Sequence, residues 1–131
     1  IMTVTTIKTL PEFNDFVSTN PKVIIDCFAE LCGPCKFISP RYHGMAEYPS
    51  NAAVKCIQID VDANPSLTGY LKLTAMPTFI DFYHGAEAHR FSGGSAEKIQ
   101  AMIASLKLFL MIILMITNDN FVFTPVNGVG Q

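Results

Sequence analysis

The chain has 131 residues, about the size of one domain, and half of them are hydrophobic, so a single core can be buried. The net charge of -2 and the lack of a basic stripe argue against a nucleic-acid partner. Four cysteines are too few for a disulfide-stapled secreted scaffold, and the first ten residues lack the apolar run of a secretory signal, so a reducing compartment is expected.

Apolar periodicity, β-branched runs and turn residues predict alternating strands and helices along most of the chain. In chain order these are strand Val4–Ile7, a helix from Thr9 to about Thr19, strand Val23–Phe28, helix Pro34–Tyr48, strand Val54–Val61, helix Asn64–Leu71, strands Thr78–Tyr83 and Ala86–Phe91, and a last helix after Ser95. This order predicts an α/β fold, with a central mixed sheet flanked by helices on both faces.

Several helix starts and one turn carry recognisable signals. Thr9 with Glu12 resembles a capping box, and Asn64 and Ser95 are each placed to cap the helix that follows. His84-Gly85 predicts a tight hairpin turn between two strands.

The strongest functional signal is Cys32-Gly33-Pro34-Cys35, between a predicted buried strand and the start of a helix. Only a thiolate attacks a disulfide, and a helix N-terminus favours the thiolate because its unpaired N–H groups and dipole stabilise negative charge. Cys32 would form a mixed disulfide with a substrate. Cys35 would then resolve it and leave an internal disulfide.

The alternative interpretation of this pair is half of a zinc site. A structural zinc ion needs four ligands, usually with a second pair at similar spacing. Cys56 and the histidines His43, His84 and His89 offer no such spacing, so redox chemistry is favoured and no metal is expected. The histidines are expected on the surface, without an assigned role.

Asp26 is a carboxyl group inside an otherwise apolar predicted strand. Burial raises the pKa of a carboxyl group because desolvation disfavours its charged form. Close to the dithiol, such a group could accept the proton of Cys35 as that thiol attacks the mixed disulfide. The residue pattern fits this role and that of a hydrogen-bonded core aspartate equally well.

Several segments together resemble the thioredoxin family, over roughly residues 3–106. Val23–Pro40 (VIIDCFAELCGPCKFISP) is similar to the family's active-site segment, and Ile59–Asn64 to its strand ending in a DVD-type turn. Ala75–Thr78 matches the segment that holds a cis-proline. Two glycines also fall at matching positions, Gly85 and Gly93.

The resemblance implies a thioredoxin fold and a set of residue roles. Cys32 would be the nucleophile, Cys35 the resolving thiol and Asp26 the buried proton acceptor. The Met76–Pro77 bond would be cis, in a loop facing the dithiol, whereas Pro77 by itself suggests only the entry to a strand. The residues expected to form an apolar substrate-docking surface are Leu31, Gly33, Pro34, Met76, Pro77 and Gly93.

The sequence departs from the family pattern beside the dithiol. Leu31 stands where a tryptophan usually precedes the first cysteine, which removes contact area. Glu30 adds a negative charge that would raise the pKa of Cys32. Gln58 is neutral where some family members carry an ionisable side chain near the buried aspartate, so the proton relay is expected to differ.

Cys27 and Cys56 lie in predicted strands, where a free cysteine usually serves as a small apolar core residue. We therefore expect both side chains to be buried. An exposed Cys56 would instead indicate a regulatory thiol.

The C-terminal segment, residues 108–131, has no counterpart in the family and is predicted to extend a domain of residues 1–107. Leu108–Ile116 is apolar throughout, but as a helix it would be only about 14 Å long, too short to cross a bilayer. It could lengthen the last helix and pack on the domain, drive self-association, or be an alternative C-terminus. Phe121–Phe123 could form a strand, and Thr124–Gln131 is expected to be disordered.

These observations predict a cytoplasmic protein-disulfide reductase that binds no cofactor. The resemblance implies that its electrons come from NADPH through a thioredoxin reductase. It also implies that its substrates are disulfide-containing proteins, such as peroxiredoxin-type or reductase-type enzymes. A disulfide oxidase or isomerase is disfavoured by Gly33-Pro34, since those enzymes often carry histidine there. A non-enzymatic binding module is the other rival, supported by Leu31 and the apolar tail.

Overall fold

The computed structural model describes residues 3–117, with the side chains of residues 3–108. The strands are β1 (Val4–Thr6), β2 (Lys22–Phe28), β3 (Lys55–Asp60), β4 (Thr78–Tyr83) and β5 (Ala86–Ser92). The helices are α1 (Leu10–Thr19), α2 (Gly33–Glu47), α3 (Pro65–Tyr70) and α4 (Ala96–Thr117). The predicted order of elements is confirmed, and a short 3-10 turn at Pro49–Asn51, which the sequence pattern did not predict, follows α2.

The strands form one mixed sheet in the order β1-β3-β2-β4-β5. The first three in this order run parallel, whereas β4 is antiparallel to β2 and β5 is antiparallel to β4. Side chains of α1 and α3 join the core on one face of the sheet, and those of α2 and α4 join the core on the other. The predicted mixed sheet with helices on both faces is therefore confirmed.

β2 is the central strand, and six of its seven residues are buried. Alternation along a strand sends successive side chains to opposite faces. Ile25 and Cys27 thus enter the core under α1 and α3, whereas Ile24 enters the core under α2 and α4. By the same alternation, Asp26 faces α2, the helix that begins at the dithiol.

The two cysteines outside the dithiol are both buried and free, as predicted. Cys27 belongs to the core under α1 and α3, and Cys56 belongs to the core under α2 and α4. Burial raises the pKa of Cys56 to about 11, so its reactive thiolate is scarce at neutral pH. The alternative of an exposed regulatory thiol at Cys56 is therefore wrong.

Two of the three predicted helix caps are present. The Thr9 hydroxyl accepts a hydrogen bond from the Glu12 amide at 3.1 Å, and the Ser95 hydroxyl accepts one from the Lys98 amide at 3.2 Å. The second half of the capping box is shifted by one residue, since the Glu12 carboxylate accepts from the amide of Lys8 at 2.6 Å.

The predicted side-chain cap at Asn64 is wrong. Its amide nitrogen donates instead to the carbonyl oxygen of Asp60 at 2.8 Å, which ties the loop back to the end of β3. An asparagine amide can both donate and accept hydrogen bonds. Here its nitrogen donates to the Asp60 carbonyl, and its oxygen accepts no bond from the first N–H groups of α3.

The hairpin between β4 and β5 turns at the predicted dipeptide. His84 and Gly85 both adopt left-handed backbone angles, with φ of 49° and 84°. Two positive φ values are typical of the type I′ turn, whose twist matches that of the flanking strands.

The C-terminal helix continues past the predicted domain boundary at residues 107 and 108. Its buried stripe is the predicted one, formed by Ile99, Met102, Ile103 and Leu106. The helix then runs on to Thr117, and Leu108 is exposed. Within the described part of the chain, no helix has the length and apolar character needed to span a membrane. The predictions for Phe121–Phe123 and Thr124–Gln131 lie outside the described residues.

Tyr42 of α2 links the helix to the two central parallel strands. Its buried hydroxyl lies 2.9 Å from the carbonyl oxygen of Ile24 and 2.8 Å from that of Ile57. We predict that Tyr42→Phe lowers the free energy of unfolding by about 1–3 kcal/mol, because the buried carbonyls lose their donor. Urea unfolding measures this change. The control is Tyr48→Phe, because Tyr48 is an exposed tyrosine at the end of the same helix. Equal effects of both substitutions would contradict the prediction.

Candidate active site

The two cysteines of the CGPC sequence are joined as a disulfide at the start of α2, with their Cα atoms 5.3 Å apart. Cys32 is the N-cap residue, and its sulfur accepts a hydrogen bond from the Cys35 amide at 3.2 Å. Pro34 suits the first turn, where its missing N–H leaves no broken hydrogen bond. Cys32 is half-buried and Cys35 is buried, so a substrate reaches the first sulfur more easily.

A second segment, the loop before β4, meets the dithiol. The Met76–Pro77 peptide bond is cis, as the resemblance implied. The carbonyl oxygen of Met76 lies 3.7 Å from the sulfur of Cys32. Gly93, with φ of 106°, donates its amide hydrogen to the carbonyl of Pro77 at 2.8 Å. Three segments far apart in the sequence thus meet around the disulfide.

Two large apolar side chains beside the dithiol are exposed. Leu31, directly before Cys32, is 98% exposed, and Phe37 in α2 is 71% exposed. Sequence reasoning named Leu31 but missed Phe37. A helical projection could have found it, because Phe37 lies off the stripe of α2 that is buried, formed by Cys35, Ile38 and Tyr42.

Asp26 is 1% exposed, and its Oδ1 atom has no hydrogen-bond partner among the described residues. Burial raises the pKa of this carboxyl group to about 7, because an unpaired charge is costly away from water. A cavity of about 500 Å³ is lined by Asp26 and by Cys35, and it reaches Glu30 and Leu31 at the surface. The carboxyl group and the buried sulfur therefore line the same surface-connected cavity.

The same cavity is lined by His43 of α2 and Gln58 of β3. The Nε2 atom of His43 lies 3.1 Å from Oε1 of Gln58, whose Nε2 donates to the Thr6 hydroxyl at 2.9 Å. His84 and His89 are exposed as predicted, but His43 is half-buried and lies at the cavity, so the expectation of a surface position is wrong for it.

The arrangement defines a chemical class. One accessible sulfur caps a helix, a second sulfur lies behind it within bonding distance, and a buried carboxyl group shares the second sulfur's cavity. Among the described side chains, no group of three or more His, Cys, Asp or Glu residues could hold a metal ion. This is the site of a thiol–disulfide oxidoreductase, in which electrons reside in the dithiol itself.

Comparisons with known proteins agree with this class. Residues 4–105 match the family model described as Thioredoxin. The chain is 38% identical over 90 residues to a thioredoxin of Mycoplasma pneumoniae, covering 69% of this chain and 86% of that protein. A solved structure of Malassezia sympodialis thioredoxin superposes with a TM-score of 0.76 at 29% identity, covering 81% of this chain and 92% of that one.

A further solved structure with a TM-score of 0.74 and 28% identity covers 79% of this chain and 95% of that one. It concerns the thiol-resolving mechanism of a yeast mitochondrial 1-Cys peroxiredoxin via glutathione and thioredoxin systems. The chain belongs to the thioredoxin family. Its fold is the thioredoxin fold, and it is a disulfide reductase acting by dithiol–disulfide exchange, as predicted.

The raised pKa of Asp26 makes stability depend on pH. The folded carboxyl group holds its proton up to about pH 7, whereas the unfolded value is 3.8. The free energy of unfolding should therefore fall as pH rises between these values, by about 4 kcal/mol at most, since each pH unit contributes about 1.4 kcal/mol. We predict that Asp26→Asn removes this fall, so the variant gains stability relative to the parent as pH rises from 4 to 8.

Urea unfolding of the oxidised protein at a series of pH values tests this. The exposed carboxylate Asp62 supplies the matched control, because Asp62→Asn should leave the difference from the parent independent of pH. The prediction would be refuted if the free energies of unfolding of the parent and of Asp26→Asn changed with pH in the same way.

Proposed function

We propose that Cys32 is the attacking thiolate and Cys35 the resolving thiol. The Cys32 thiolate attacks one sulfur of a substrate disulfide, forms a mixed disulfide and expels the first substrate thiolate. The Cys35 thiolate then attacks the Cys32 sulfur, expels the second substrate thiolate and leaves the Cys32–Cys35 disulfide. The observation that carries this assignment is the difference in burial, since Cys32 is half-buried whereas Cys35 is buried.

Asp26 takes the proton that Cys35 must lose before it attacks. Its position in the cavity lined by Cys35 supports this role. A carboxyl group with a pKa of about 7 is close to half ionised at neutral pH, so it can accept a proton and release it again.

Substrates dock on the low surface around the dithiol. The residues proposed for it are Leu31, Gly33, Pro34, Met76 and Gly93, and we add Phe37 because its side chain is exposed. Leu31 supplies an aliphatic contact area next to the attacking sulfur, because its side chain is almost fully exposed. The carbonyl oxygen of Met76, in the cis Met76–Pro77 loop, lies 3.7 Å from that sulfur, a position that suits pairing with an extended substrate backbone.

The partners follow from family membership and from the peroxiredoxin system described for one structural relative. Electrons come from NADPH through a thioredoxin reductase, which reduces the Cys32–Cys35 disulfide after each cycle. The electrons then pass to protein disulfides, with peroxiredoxin-type and reductase-type enzymes as the expected substrates. The protein acts in the cytoplasm, where the two buried free thiols are compatible with reducing conditions.

Substitution of each cysteine separates the two chemical roles. Cys32→Ser should abolish insulin-disulfide reduction, because no nucleophile remains. Cys35→Ser should accumulate a mixed disulfide, because no thiol resolves it, and this adduct is detected by mass spectrometry under non-reducing conditions. The control Cys56→Ala, at a buried thiol outside the site, should retain turnover. Reduction of insulin by Cys32→Ser would disprove the assignment.

The reduction potential distinguishes a reductase from an oxidase or isomerase. Thioredoxins typically lie near about -270 mV and protein disulfide isomerase near about -180 mV. Equilibration of the Cys32–Cys35 pair with a glutathione or dithiothreitol buffer measures it. A value near the second figure would argue for the oxidising role. A protein that keeps its partners after both cysteines are replaced would instead be a binding module.

The apolar end of α4 favours self-association. Nine consecutive apolar residues, 108–116, lie on a continuous helix, and 3.6 residues per turn spreads them around its whole circumference. The domain can cover at most one side of such a helix. We propose that a second copy of the chain covers the remaining apolar part.

We predict that the full chain sediments as a dimer or larger species at tens of micromolar. The double substitution Leu110→Glu and Leu114→Glu, four residues apart on the helix, should shift it to monomer. Phe37→Glu, at an exposed apolar position of α2, is the control and should leave sedimentation unchanged. A parent chain that stays monomeric at these concentrations would rule out the dimer.

A further inference from the structure

Asp26 can accept the proton of Cys35 only as the ionised carboxylate, so a protonated Asp26 must first lose its proton to solvent. With a pKa of about 7, about half of the Asp26 carboxyl groups carry that proton at neutral pH. Asp26 is almost completely buried, and its Oδ1 atom has no partner among the described residues. The proton therefore needs a path, and the cavity of about 500 Å³ lined by Asp26 offers one, since it is large enough to admit several water molecules.

His43 stands along this path in a fixed orientation. The Gln58 side chain donates to the Thr6 hydroxyl at 2.9 Å, which turns its oxygen toward His43. The Nε2 atom of His43 lies 3.1 Å from this oxygen, and only a protonated Nε2 can donate to it. In the neutral imidazole, Nδ1 is consequently the free acceptor. Gln58 thus holds the ring in the tautomer that can take up a proton at Nδ1.

The other ionisable side chains around Asp26 are less suited to this exchange. Glu30 and Lys36 line the cavity and are exposed. A neutral imidazole ring carries both a donor and an acceptor nitrogen, whereas a lysine ammonium offers no acceptor and a carboxylate no donor. Inside the protein, burial raises the pKa values of Cys27, Tyr42 and Cys56, so these three groups stay neutral.

We propose that His43 relays the proton between Asp26 and solvent during the resolving step. The Asp26 carboxyl group first passes its proton through the cavity to Nδ1 of His43, and the imidazolium releases it to the buffer. The ionised carboxylate then takes the proton of the Cys35 thiol, and the Cys35 thiolate expels the substrate thiolate from Cys32. His43 acts through Asp26 and touches no reacting sulfur. The inference rests on the proposed role of Asp26.

The test measures the resolving step by stopped flow. Reduced protein is mixed with a peptide disulfide whose second half becomes fluorescent on release, at pH 7 and in dilute buffer. His43→Gln retains a donor for Gln58, so the fold is kept. We expect release to be about 3- to 10-fold slower in this variant, less than the roughly 100-fold or more of direct acid–base catalysis, because His43 acts only through Asp26. Added imidazole should restore the rate, which a merely structural defect would not allow.

The matched control is His84→Asn in the hairpin turn, where asparagine tolerates the positive φ and the rate should not change. In an Asp26→Asn background, His43→Gln should cause no further slowing, because the group it serves is absent. A normal rate in His43→Gln, slowing that imidazole does not reverse, or equal slowing in both backgrounds would overturn the relay. If Asp26→Asn itself leaves the rate unchanged, the proposed role of Asp26 fails first, and the relay fails with it.

Discussion

The burial of β2 on both faces is the constraint on which the rest of the structure depends. The strand pairs with β3 on one side and β4 on the other, and its apolar side chains enter both cores. Because β2 is paired on both sides and packed on both faces, its end has a fixed position. The loop that follows therefore places Cys32 at the N-terminus of α2. The same strand fixes Asp26 inside the protein, on the face that α2 covers. The proposed nucleophile and the proposed proton acceptor are thus positioned by one element.

The burial of Asp26 lowers the stability of the fold at high pH, but it also favours proton transfer near neutral pH. A buried carboxyl group without a hydrogen-bond partner at Oδ1 is unfavourable in its charged form, and burial raises its pKa to about 7 for that reason. The property that weakens the fold at high pH is the property that lets the group gain and lose a proton near neutrality. An aspartate with full hydrogen bonding would stabilise the protein and would be a poorer proton acceptor.

The departures from the family pattern cluster on two sides of the dithiol. On the outer side, Leu31 replaces an indole by a smaller aliphatic contact that is almost fully exposed. On the inner side, Gln58 contributes no charge, but its amide orients the imidazole of His43 beside the same cavity. The sequence pattern indicated that the proton relay would differ. It did not point to His43, the relay proposed above, because His43 of α2 and Gln58 of β3 approach each other only in the folded chain.

The sequence by itself determined the order of strands and helices, the central position of β2, the dithiol and its class of chemistry. These follow from local patterns: apolar runs, β-branched residues, a proline after the helix cap and the spacing of two cysteines. Only the tertiary structure decided that Met76 approaches Cys32 and that Gly93 bonds to Pro77. It also decided that Phe37 is exposed and that Asn64 donates to Asp60 instead of capping α3. Such contacts join segments whose approach depends on the packing of the whole sheet, and a local pattern carries no information about them.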